Sequence, residues 1–488
     1  MPEPRVVVVG GGIGGLAAAI RLATRGCAVT VLEARTEFGG KLTERTHAGY
    51  TFETGPSLLT LPNLIDDCFA AARTRLADEV DLVRLDPIMH YHWSDGSYLA
   101  MPADGDAQID AIETFAPGNG NAWRAILEHG RAIWDTSART FFAGPIGSPR
   151  QLLRRMESPR DLVTIDPLRS LHRYAQHSLS DARLVQLLDR YATYSGSSPY
   201  RAPATLACIP AVEAFFGAWY VRGGLARLRD AYVRIAEKAG VELLANTEVT
   251  RIETEGHRVR GVATTSGTRL SADVVIANVD ALHLYRDLLP DARQVRSVER
   301  TERSSSGFVV LAALTGQTAK VGHHNIVFSR DYRAEFDDLF RRRVPAVNPT
   351  VYACVSAVTD PSQAPAGNEN WFLLVNAPSQ DHQWECDAYR DRIYAALQPT
   401  FGDLAARSVW EATITPNDLA ATFRTAGGAI YGTSSNGMRA AFRRPANRGP
   451  RAGLYLVGGS SHPGGGIPLV TQSAAIVDAM IAADCGLA

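Results

Sequence analysis

Cysteine and lysine are scarce in this sequence, and its net charge is close to zero. Among its 488 residues, 50 basic side chains nearly balance 51 acidic ones, which leaves a net charge of −1. This balance gives no electrostatic reason to expect nucleic-acid binding. The six cysteines are scattered, without a C-x-x-C pair or a histidine at metal-ligand spacing, which argues against a zinc site or a disulfide framework and fits a reducing cytosol: Cys27, Cys68, Cys208, Cys354, Cys386 and Cys485.

Long uninterrupted apolar runs are also missing. No window reaches the roughly 18 apolar residues of a membrane-spanning helix, so we expect none. The apolar run Val6–Ile20 lacks a basic flank and a cleavage site and contains several glycines, so we do not interpret it as a signal peptide. With 45% hydrophobic and 21% charged residues, the chain is expected to be globular, with two or three domains.

The stretch from Arg5 to Arg35 contains the most informative pattern. The β-branched run Val6–Val9 is typical of a strand buried on both faces of a parallel sheet. Glycines then follow in the spacing G-x-G-x-x-G, before a small-residue helix over Ala17–Ala23 and a second strand over Ala28–Leu32. Strand, glycine turn, helix and strand together predict a dinucleotide-binding βαβ unit.

The positions in this unit have separate roles in holding a pyrophosphate. Gly10 permits the tight turn, Gly12 lets the backbone come close to the anion, and Gly15 lets helix and strand pack closely. The N–H groups at the helix start are directed at the anion. Glu33, after the second strand, is placed to accept hydrogen bonds from ribose hydroxyls. The pattern alone does not distinguish NAD from FAD.

Two more glycine-led turns follow Glu33, namely Phe38-Gly39-Gly40-Lys41 and Thr54-Gly55-Pro56-Ser57. Together with Glu33-Ala34-Arg35 they resemble the FAD-binding N-terminus of the amine-oxidase-like flavoprotein superfamily, in which these turns lie along the cofactor. The resemblance implies FAD as the cofactor. It also places Lys41 where its charge would favour a reduced, anionic flavin; a solvated surface lysine is the alternative.

Later segments resemble the bacterial-type carotenoid and phytoene desaturase family within that superfamily. The resemblance rests on Tyr194–Pro199, Trp219–Leu225, Asn370–Pro378 and the closing segment Leu454–Pro468, and it extends over essentially the whole chain. It assigns the following residues to FAD: Gly10, Gly12, Ile13, Gly14, Gly15, Glu33, Ala34, Gly39, Gly40, Lys41, Gly55, Pro56, Ser57, Leu58, Val249, Asn278, Gly458, Gly459, Gly466, Ile467 and Pro468.

The resemblance implies an α/β fold in which a mixed α+β substrate domain is inserted into a discontinuous Rossmann-like FAD-binding domain. We expect the FAD-binding domain to comprise residues 1–81, 218–290 and 446–488, and the substrate domain to comprise residues 82–217 and 291–445. In the substrate domain, periodicity predicts helices over Ala122–Thr136 and Ala182–Tyr194, and Trp93-Ser94-Asp95-Gly96 predicts a hairpin.

No catalytic triad or carboxylate pair stands out, as expected if flavin N5 carries the chemistry. His462 is the one weak candidate for a chemical role, and a structural hydrogen bond is its alternative. The neighbours His323 and His324 are expected to point to opposite faces of a strand and to bind no metal. Our substrate-pocket candidates are Tyr194, Phe215, Phe216, Trp219 and His324. For the aromatic run Phe215, Phe216, Trp219 and Tyr220, packing under a sheet is the alternative to lining an apolar tunnel.

The segment Pro149–Arg173 alternates arginines with apolar residues such as Leu152, Leu153, Leu162 and Leu168. It is interpreted either as a contact with an anionic membrane surface or as an ordinary solvated helical face. Since a long polyene is insoluble in water, we expect a cytoplasmic protein that attaches peripherally to a membrane and takes its substrate from there.

The resemblance implies FAD-dependent desaturation of a carotenoid by hydride transfer to the flavin, with oxygen or a quinone as the electron acceptor. Asn370–Pro378 and His323–Ile326 are most similar to the hydroxycarotenoid 3,4-desaturase branch. Enzymatic alternatives are a phytoene desaturase, a carotenoid oxygenase or ketolase, and an amine oxidase. A non-enzymatic alternative is a prenyl-protein-binding module of the dissociation-inhibitor type, which the intact glycine pattern and Gly458–Pro468 disfavour.

Overall fold

The computed structural model describes residues 3–487. Its strands are β1 Arg5–Val9, β2 Ala28–Leu32, β3 Glu44–His47, β4 Tyr50–Glu53, β5 Leu82–Arg84, β6 Met89–His92, β7 Tyr98–Met101, β8 Trp219–Val221, β9 Glu242–Leu244, β10 Val249–Glu255, β11 Arg258–Thr264, β12 Arg269–Ser271, β13 Val274–Ala277, β14 Ser306–Leu314, β15 His324–Val327, β16 Val351–Cys354, β17 Glu369–Ala377, β18 Ser408–Ile414 and β19 Leu454–Leu456. Its α-helices are α1 Ile13–Thr24, α2 Pro62–Ala71, α3 Leu76–Glu79, α4 Gly105–Phe115, α5 Gly120–Thr140, α6 Pro149–Arg155, α7 Pro159–Thr164, α8 Leu171–Ser178, α9 Ala182–Arg190, α10 Cys208–Phe216, α11 Ala226–Lys238, α12 Ala281–His283, α13 Ala292–Glu299, α14 Tyr332–Asp337, α15 Cys386–Phe401, α16 Pro416–Phe423, α17 Ala440–Arg443 and α18 Ile467–Cys485.

Five parallel strands form one sheet in the order β19-β13-β1-β2-β9. Val6 and Val8 of the central strand β1 face one core, and Val7 and Val9 face another. The run has to be apolar throughout because side chains alternate across a strand and both faces of this one are buried. All five strands fall within the three segments that the sequence assigns to the FAD-binding domain.

Helices cover one face of this parallel sheet and a small sheet covers the other. α1 packs against α11 and α18 on the first face, where the buried alanines Ala17, Ala18 and Ala19 allow a close approach. The antiparallel sheet β10-β11-β12 contributes to the core on the second face. The parallel sheet is therefore enclosed, as strands with two apolar faces require.

A second, seven-stranded sheet has the order β18-β14-β17-β16-β15-β6-β7. Its pairings are antiparallel except for β15 with β6. Phe308 and Val310 of β14 pack in a core with α15, whereas Val309 and Leu311 face the opposite side, towards the hairpin β3–β4. All seven strands fall within the segments assigned to the substrate domain, and the turn predicted at Trp93–Gly96 connects β6 to β7.

The helical layer of residues 105–216 differs from the sequence prediction at one point that matters below. The predicted helix over Ala182–Tyr194 ends at Arg190, and Tyr191–Ser195 form a 3₁₀ turn that stops at Gly196, which has a φ of 59°. The hydroxyls of Tyr191 and Tyr194 both donate to the carboxylate of Glu213 on α10. Tertiary hydrogen bonding thus replaces the last helical turn.

Within residues 3–487, only α18 is both long and apolar enough to cross a membrane by length and composition. Half of its apolar window is buried inside the fold. This helix packs against α1 and α2, and its first residues border the cavity described next.

Candidate functional site

A cavity of about 800 Å³ is bordered by both sheets. One part of its wall consists of the turns that follow β1 and β2, and another part consists of side chains from the seven-stranded sheet and the helical layer. Its volume lies in the upper part of the range of about 300–1,000 Å³ that is typical of small-molecule sites.

The residues that the sequence assigns to FAD line this cavity, with the exception of Gly15. A Cβ atom on Gly15 would lie 2.4 Å from the carbonyl oxygen of Gly10. Gly15 therefore allows α1 to pack against the turn, which is the role predicted for it.

Asn278 connects the glycine turn to the last strand of the parallel sheet. Its Nδ2 donates to the Gly10 carbonyl oxygen at 3.0 Å. A Cβ atom on Gly12 would lie 2.9 Å from that nitrogen, and one on Gly458 would lie 2.5 Å from Oδ1. Side chains at these positions would collide with Asn278, so glycine is required for the backbone to form this cradle.

Two helices begin at the cavity without a side-chain cap. α1 follows Gly12, and α18 follows Gly466, which has a φ of 106° and faces open space. The N–H groups in the first turn of a helix lack intrahelical acceptors and carry partial positive charge. Uncapped helix starts next to a cavity fit a bound anionic group such as a pyrophosphate.

Glu33 is buried and holds the turns around it. Its carboxylate accepts hydrogen bonds from the backbone N–H of Gly11 at 2.8 Å and of Arg35 at 3.0 Å. Each oxygen retains a further lone pair, and Glu33 lines the cavity. These contacts orient the carboxylate so that it can accept hydrogen bonds from ribose hydroxyls.

Lys41 lies at the cavity wall and is not a solvated surface lysine. Its Nζ donates to the carbonyl oxygens of Ile430 at 2.7 Å and of Ala429 at 3.3 Å. Burial lowers the pKa of Lys41 to about 8, and Asp280 partly opposes that shift. The lysine is thus mostly cationic at neutral pH and can attract an anionic cofactor.

The rest of the cavity wall is predominantly apolar. On β14 and β17 alternate residues line it, namely Gly307 and Val309, and Phe372 and Leu374. The helical layer adds further apolar and aromatic side chains: Trp134, Phe141, Phe142, Leu206, Ile209 and Val212. The carboxylates in the described wall are those of Glu33, Glu248 and Asp280, all in the segments of the parallel sheet.

Of the five predicted substrate-pocket residues, only Tyr194 lines the cavity. Phe215 is 48% exposed and lies under Arg131. Phe216 packs against Trp134, and Trp219 donates its indole N–H to the Phe216 carbonyl oxygen. His324 is buried behind Tyr352, whose hydroxyl is 2.8 Å from its Nδ1. Phe215, Phe216 and Trp219 therefore do not line the cavity, and Phe215 is exposed rather than packed in a core.

His462 is buried and does not line the cavity. Its Nε2 lies 3.0 Å from the carbonyl oxygen of Phe141, and the two rings are in contact. Burial lowers the pKa of His462 to about 4. These contacts favour the structural alternative, a hydrogen bond that supports the closing turn.

His323 and His324 do not point to opposite faces as predicted, since their ring centroids are 4.5 Å apart. The reason is that His323 precedes β15, so strand alternation does not apply to it. With the Cys354 thiol they form a buried group whose ligand atoms lie within 4.8 Å of one another. Burial raises the pKa of the thiol and lowers that of His324, which the charge of Arg190 lowers further. A protonated thiol and a nearby cation disfavour a metal ion here.

Several wall residues were missed by sequence reasoning, among them Arg190, Tyr352 and Tyr431. Tyr352 hydrogen-bonds Ser57 at 2.6 Å, which brings the seven-stranded sheet to the cofactor turn. The one sequence signal for Arg190 was its position four residues before the start of the Tyr194–Pro199 segment. Strand alternation identifies the cavity face of β14 and β17 only once the register is known.

Comparison with known proteins gives consistent matches over the full length. The model of the flavin-containing amine oxidoreductase family matches residues 13–477. The chain is 33% identical to a 4,4'-diapolycopene oxygenase from Methylomonas sp., with 98% of each chain covered. It is also 33% identical to a 1-hydroxycarotenoid 3,4-desaturase from Flavobacterium sp. strain P99-3, with 98% of this chain and 99% of the relative covered. A solved oxidoreductase from Methanosarcina mazei is similar in fold, with a TM-score of 0.64 at 17% identity over 97% of this chain and 99% of the other.

Proposed function

Because this chain belongs to the flavin-containing amine oxidoreductase family, we propose that it desaturates a carotenoid with FAD as its cofactor. Family membership confirms the predicted α/β fold class, the FAD cofactor and the oxidoreductase class. The substrate is proposed from the two full-length relatives, both of which are named for carotenoid substrates.

The observation that carries the proposal is the composition of the cavity. Its cofactor part has uncapped helix starts and a buried carboxylate, whereas its remaining wall is apolar and has no described carboxylate. Such a wall suits a long hydrocarbon chain and offers no anion to bind the ammonium group of an amine substrate. A polyene therefore fits the cavity better than an amine does.

Bound FAD would accept the hydride equivalent that desaturation removes from the substrate, and the second hydrogen would leave as a proton from the cation delocalised over the polyene, which lowers the need for a strong protein base. The contributions of the chain itself are positional and electrostatic. Gly12 and Asn278 form the cradle for the pyrophosphate, Glu33 fixes the ribose, and Lys41 supplies positive charge at the wall. The apolar side chains of β14 and β17 exclude water and hold the substrate chain, so no protein nucleophile is required.

We propose desaturation rather than oxygenation as the reaction. The proposed substrate is a 1-hydroxylated carotenoid, which is desaturated at its 3,4-bond. The proposed electron acceptor is oxygen or a quinone. The test is a pigment profile of separate hosts that supply phytoene or a 1-hydroxylated carotenoid. We expect loss of hydrogen pairs and a red-shifted absorption spectrum with the hydroxylated carotenoid. A gain of oxygen mass would instead support the oxygenase alternative, and unchanged pigments in both hosts, despite bound flavin, would contradict the proposal.

The segment Pro149–Arg173 supports peripheral attachment to a membrane. Its exposed apolar side chains include Leu153 at 54%, Val163 at 78% and Leu168 at 76% exposure. Neighbouring residues of the same segment line the cavity: Leu152, Ile165 and Pro167. A membrane contact at this surface would place the lipid next to the apolar part of the cavity, from which an insoluble substrate could enter.

The six arginines of this segment differ in their contacts, and one of them, Arg169, forms an ion pair with Asp166. Arg155 is turned inward and donates to the carbonyl oxygens of Thr140, Gly144 and Pro145, which rules it out as a lipid contact. Four others are exposed and form no ion pair with the described residues: Arg150, Arg154, Arg160 and Arg173. Exposed arginines beside exposed leucines are typical of a surface that rests on anionic lipid.

A further inference from the structure

Arg190 is a buried cation in the cavity wall that has no hydrogen-bond acceptor. It is 8% exposed, and Nη1 is fully buried without a partner. Within residues 3–487 its guanidinium forms no hydrogen bond and no ion pair, although the charge of Glu213 acts on it from nearby. A guanidinium carries five N–H donors and keeps its proton, so leaving it unpaired in an apolar wall is costly.

Arg444 is an arginine of the same cavity wall whose hydrogen bonds give it a structural role. Its guanidinium donates to the carbonyl oxygens of Gly459 and Thr433 at 2.7 Å and of Tyr431 at 2.9 Å. It thereby ties the closing turn to the loop around Tyr431. Arg190 lines the same cavity without any such bond, so a purely structural role leaves its donors unexplained.

The neighbours of Arg190 fix its position without using its donors. Its guanidinium carbon lies 5.2 Å from the ring centroid of Tyr194 and 5.9 Å from that of Tyr352, both of which line the cavity. The nearby Glu213 carboxylate is occupied by the hydroxyls of Tyr191 and Tyr194. Two aromatic rings thus contact the cation by cation–π attraction without using its N–H donors, and Arg190 is itself part of the cavity wall.

We propose that the guanidinium of Arg190 binds an oxygen atom on the end group of the polyene substrate and thereby selects oxygenated carotenoids over hydrocarbon ones. The inference rests on the proposed function and specifies how the same site chooses its substrate. A hydroxyl or carbonyl oxygen would satisfy the free donors, whereas a hydrocarbon end group would leave them unpaired.

The location of Arg190 agrees with a reaction close to that oxygen. Tyr352, which flanks the guanidinium, hydrogen-bonds Ser57 of the cofactor turn. In a 1-hydroxylated carotenoid the hydroxyl-bearing carbon is two bonds from C3. A site that binds this hydroxyl would therefore hold the 3,4-bond next to it, which is the positioning that a hydride transfer needs.

The test compares two purified flavin-loaded variants with the wild type. Arg190→Met removes the donors and keeps the side-chain length, and Arg296→Met is the matched control because Arg296 is exposed on α13 without an ion pair. Each protein is assayed with a 1-hydroxylated carotenoid and with the carotenoid of equal length and unsaturation that lacks the hydroxyl. The measured quantity is the ratio of the two kcat/KM values, which a general loss of folded enzyme leaves unchanged.

We expect the wild type and Arg296→Met to prefer the hydroxylated substrate, and Arg190→Met to lower that preference by about tenfold to a hundredfold, as for loss of a charged hydrogen-bond donor. If Arg190→Met does not fold, Arg190→Lys keeps the charge with fewer donors, and a reduced preference is again expected. Two results would overturn the role of Arg190 but not the proposed function. One is an unchanged substrate preference in the folded variant, and the other is a wild type that desaturates both carotenoids equally. A wild type that desaturates neither would overturn the proposed function as well.

Discussion

At the cofactor end of the cavity the wall is made of backbone turns, whereas at the substrate end it is made of side chains from a sheet and a helical layer. Gly12, Gly40 and Gly458 bring main chain from three separate turns to the cofactor end. Phe372 and Tyr352 project into the other end from neighbouring strands. The backbone turns at the cofactor end require glycine at fixed positions, so the sequence predicts them from glycine spacing. An apolar wall can be formed by many different side chains, so the sequence does not predict it.

This contrast also separates the two buried cations. Lys41 follows a glycine pair and donates to backbone carbonyls at the cofactor end. Arg190 is the last residue of α9, directly before the 3₁₀ turn Tyr191–Ser195, and its guanidinium forms no hydrogen bond. The cofactor end is thus largely complete by itself, whereas the substrate end contains a group that a ligand has to complete.

Replacing a cradle glycine is the largest expected disruption of the cofactor end. In Gly12→Ala the new Cβ would lie 2.9 Å from Asn278 Nδ2, where overpacking costs about 1–3 kcal/mol and the close approach to the pyrophosphate is lost. We expect FAD affinity to fall by about a hundredfold, measured by flavin absorbance per chain and by fluorescence titration. Gly147→Ala is the control, because Gly147 is exposed and its Cβ meets only Gln151, at 3.5 Å. Full flavin occupancy in Gly12→Ala would contradict the cradle.

Replacing the exposed apolar side chains of Pro149–Arg173 tests whether the substrate end of the cavity lies next to a membrane, without changing the cofactor end. The triple variant Leu162→Ser, Val163→Ser and Leu168→Ser removes side chains that are 44%, 78% and 76% exposed. Each apolar group that a membrane would cover contributes on the order of 1 kcal/mol, so we expect binding to phosphatidylcholine–phosphatidylserine vesicles to weaken by about tenfold or more, measured by co-sedimentation.

The matched control for that surface carries Val347→Ser and Val409→Ser, which are 70% and 60% exposed elsewhere on the molecule. We expect this control to bind vesicles as the wild type does and both variants to retain FAD. Equal vesicle binding by the triple variant and the wild type would show that Pro149–Arg173 is a solvated face.

Deprotonation of Lys41 is expected to have the smallest effect, a change in FAD affinity with pH, and it tests the contribution of charge at the cofactor end. Its pKa is lowered by burial to about 8, so the lysine loses its charge above that pH and attracts the anionic cofactor less. We expect the Kd of FAD to increase several-fold from pH 7 to pH 9, measured by titration of the apoprotein. Because the folded pKa lies below the unfolded value of 10.5, stability of the apoprotein should rise with pH between about 8 and 10.5.

Lys41→Met should bind FAD more weakly at pH 7 and show a flatter pH dependence. Lys238→Met, at an exposed lysine of α11 that is 71% accessible, should behave as the wild type. A pH dependence in Lys41→Met equal to that of the wild type would assign the effect to another group.

The βαβ unit predicted from the sequence is present in the structure, and the assignment of residues to FAD stays a prediction. Gly10, Gly12, Glu33 and Asn278 all line the cavity as predicted. These positions were readable because steric and hydrogen-bonding demands restrict each of them to one or two residue types. The location of Phe215, Phe216 and Trp219 could not be predicted in this way, since an aromatic side chain is equally suitable for a core and for a pocket.

The sequence by itself determined the nucleotide-binding strands, the glycine cradle and the absence of a long uninterrupted apolar run, because these follow from local backbone geometry and composition. Only the tertiary structure decided that His462 hydrogen-bonds Phe141, that His323 contacts His324, and that Arg190 lines the cavity without a hydrogen bond from its guanidinium. Each of these depends on contacts between residues far apart in the chain or on where an element ends. Helical and strand periodicity carry no information about either.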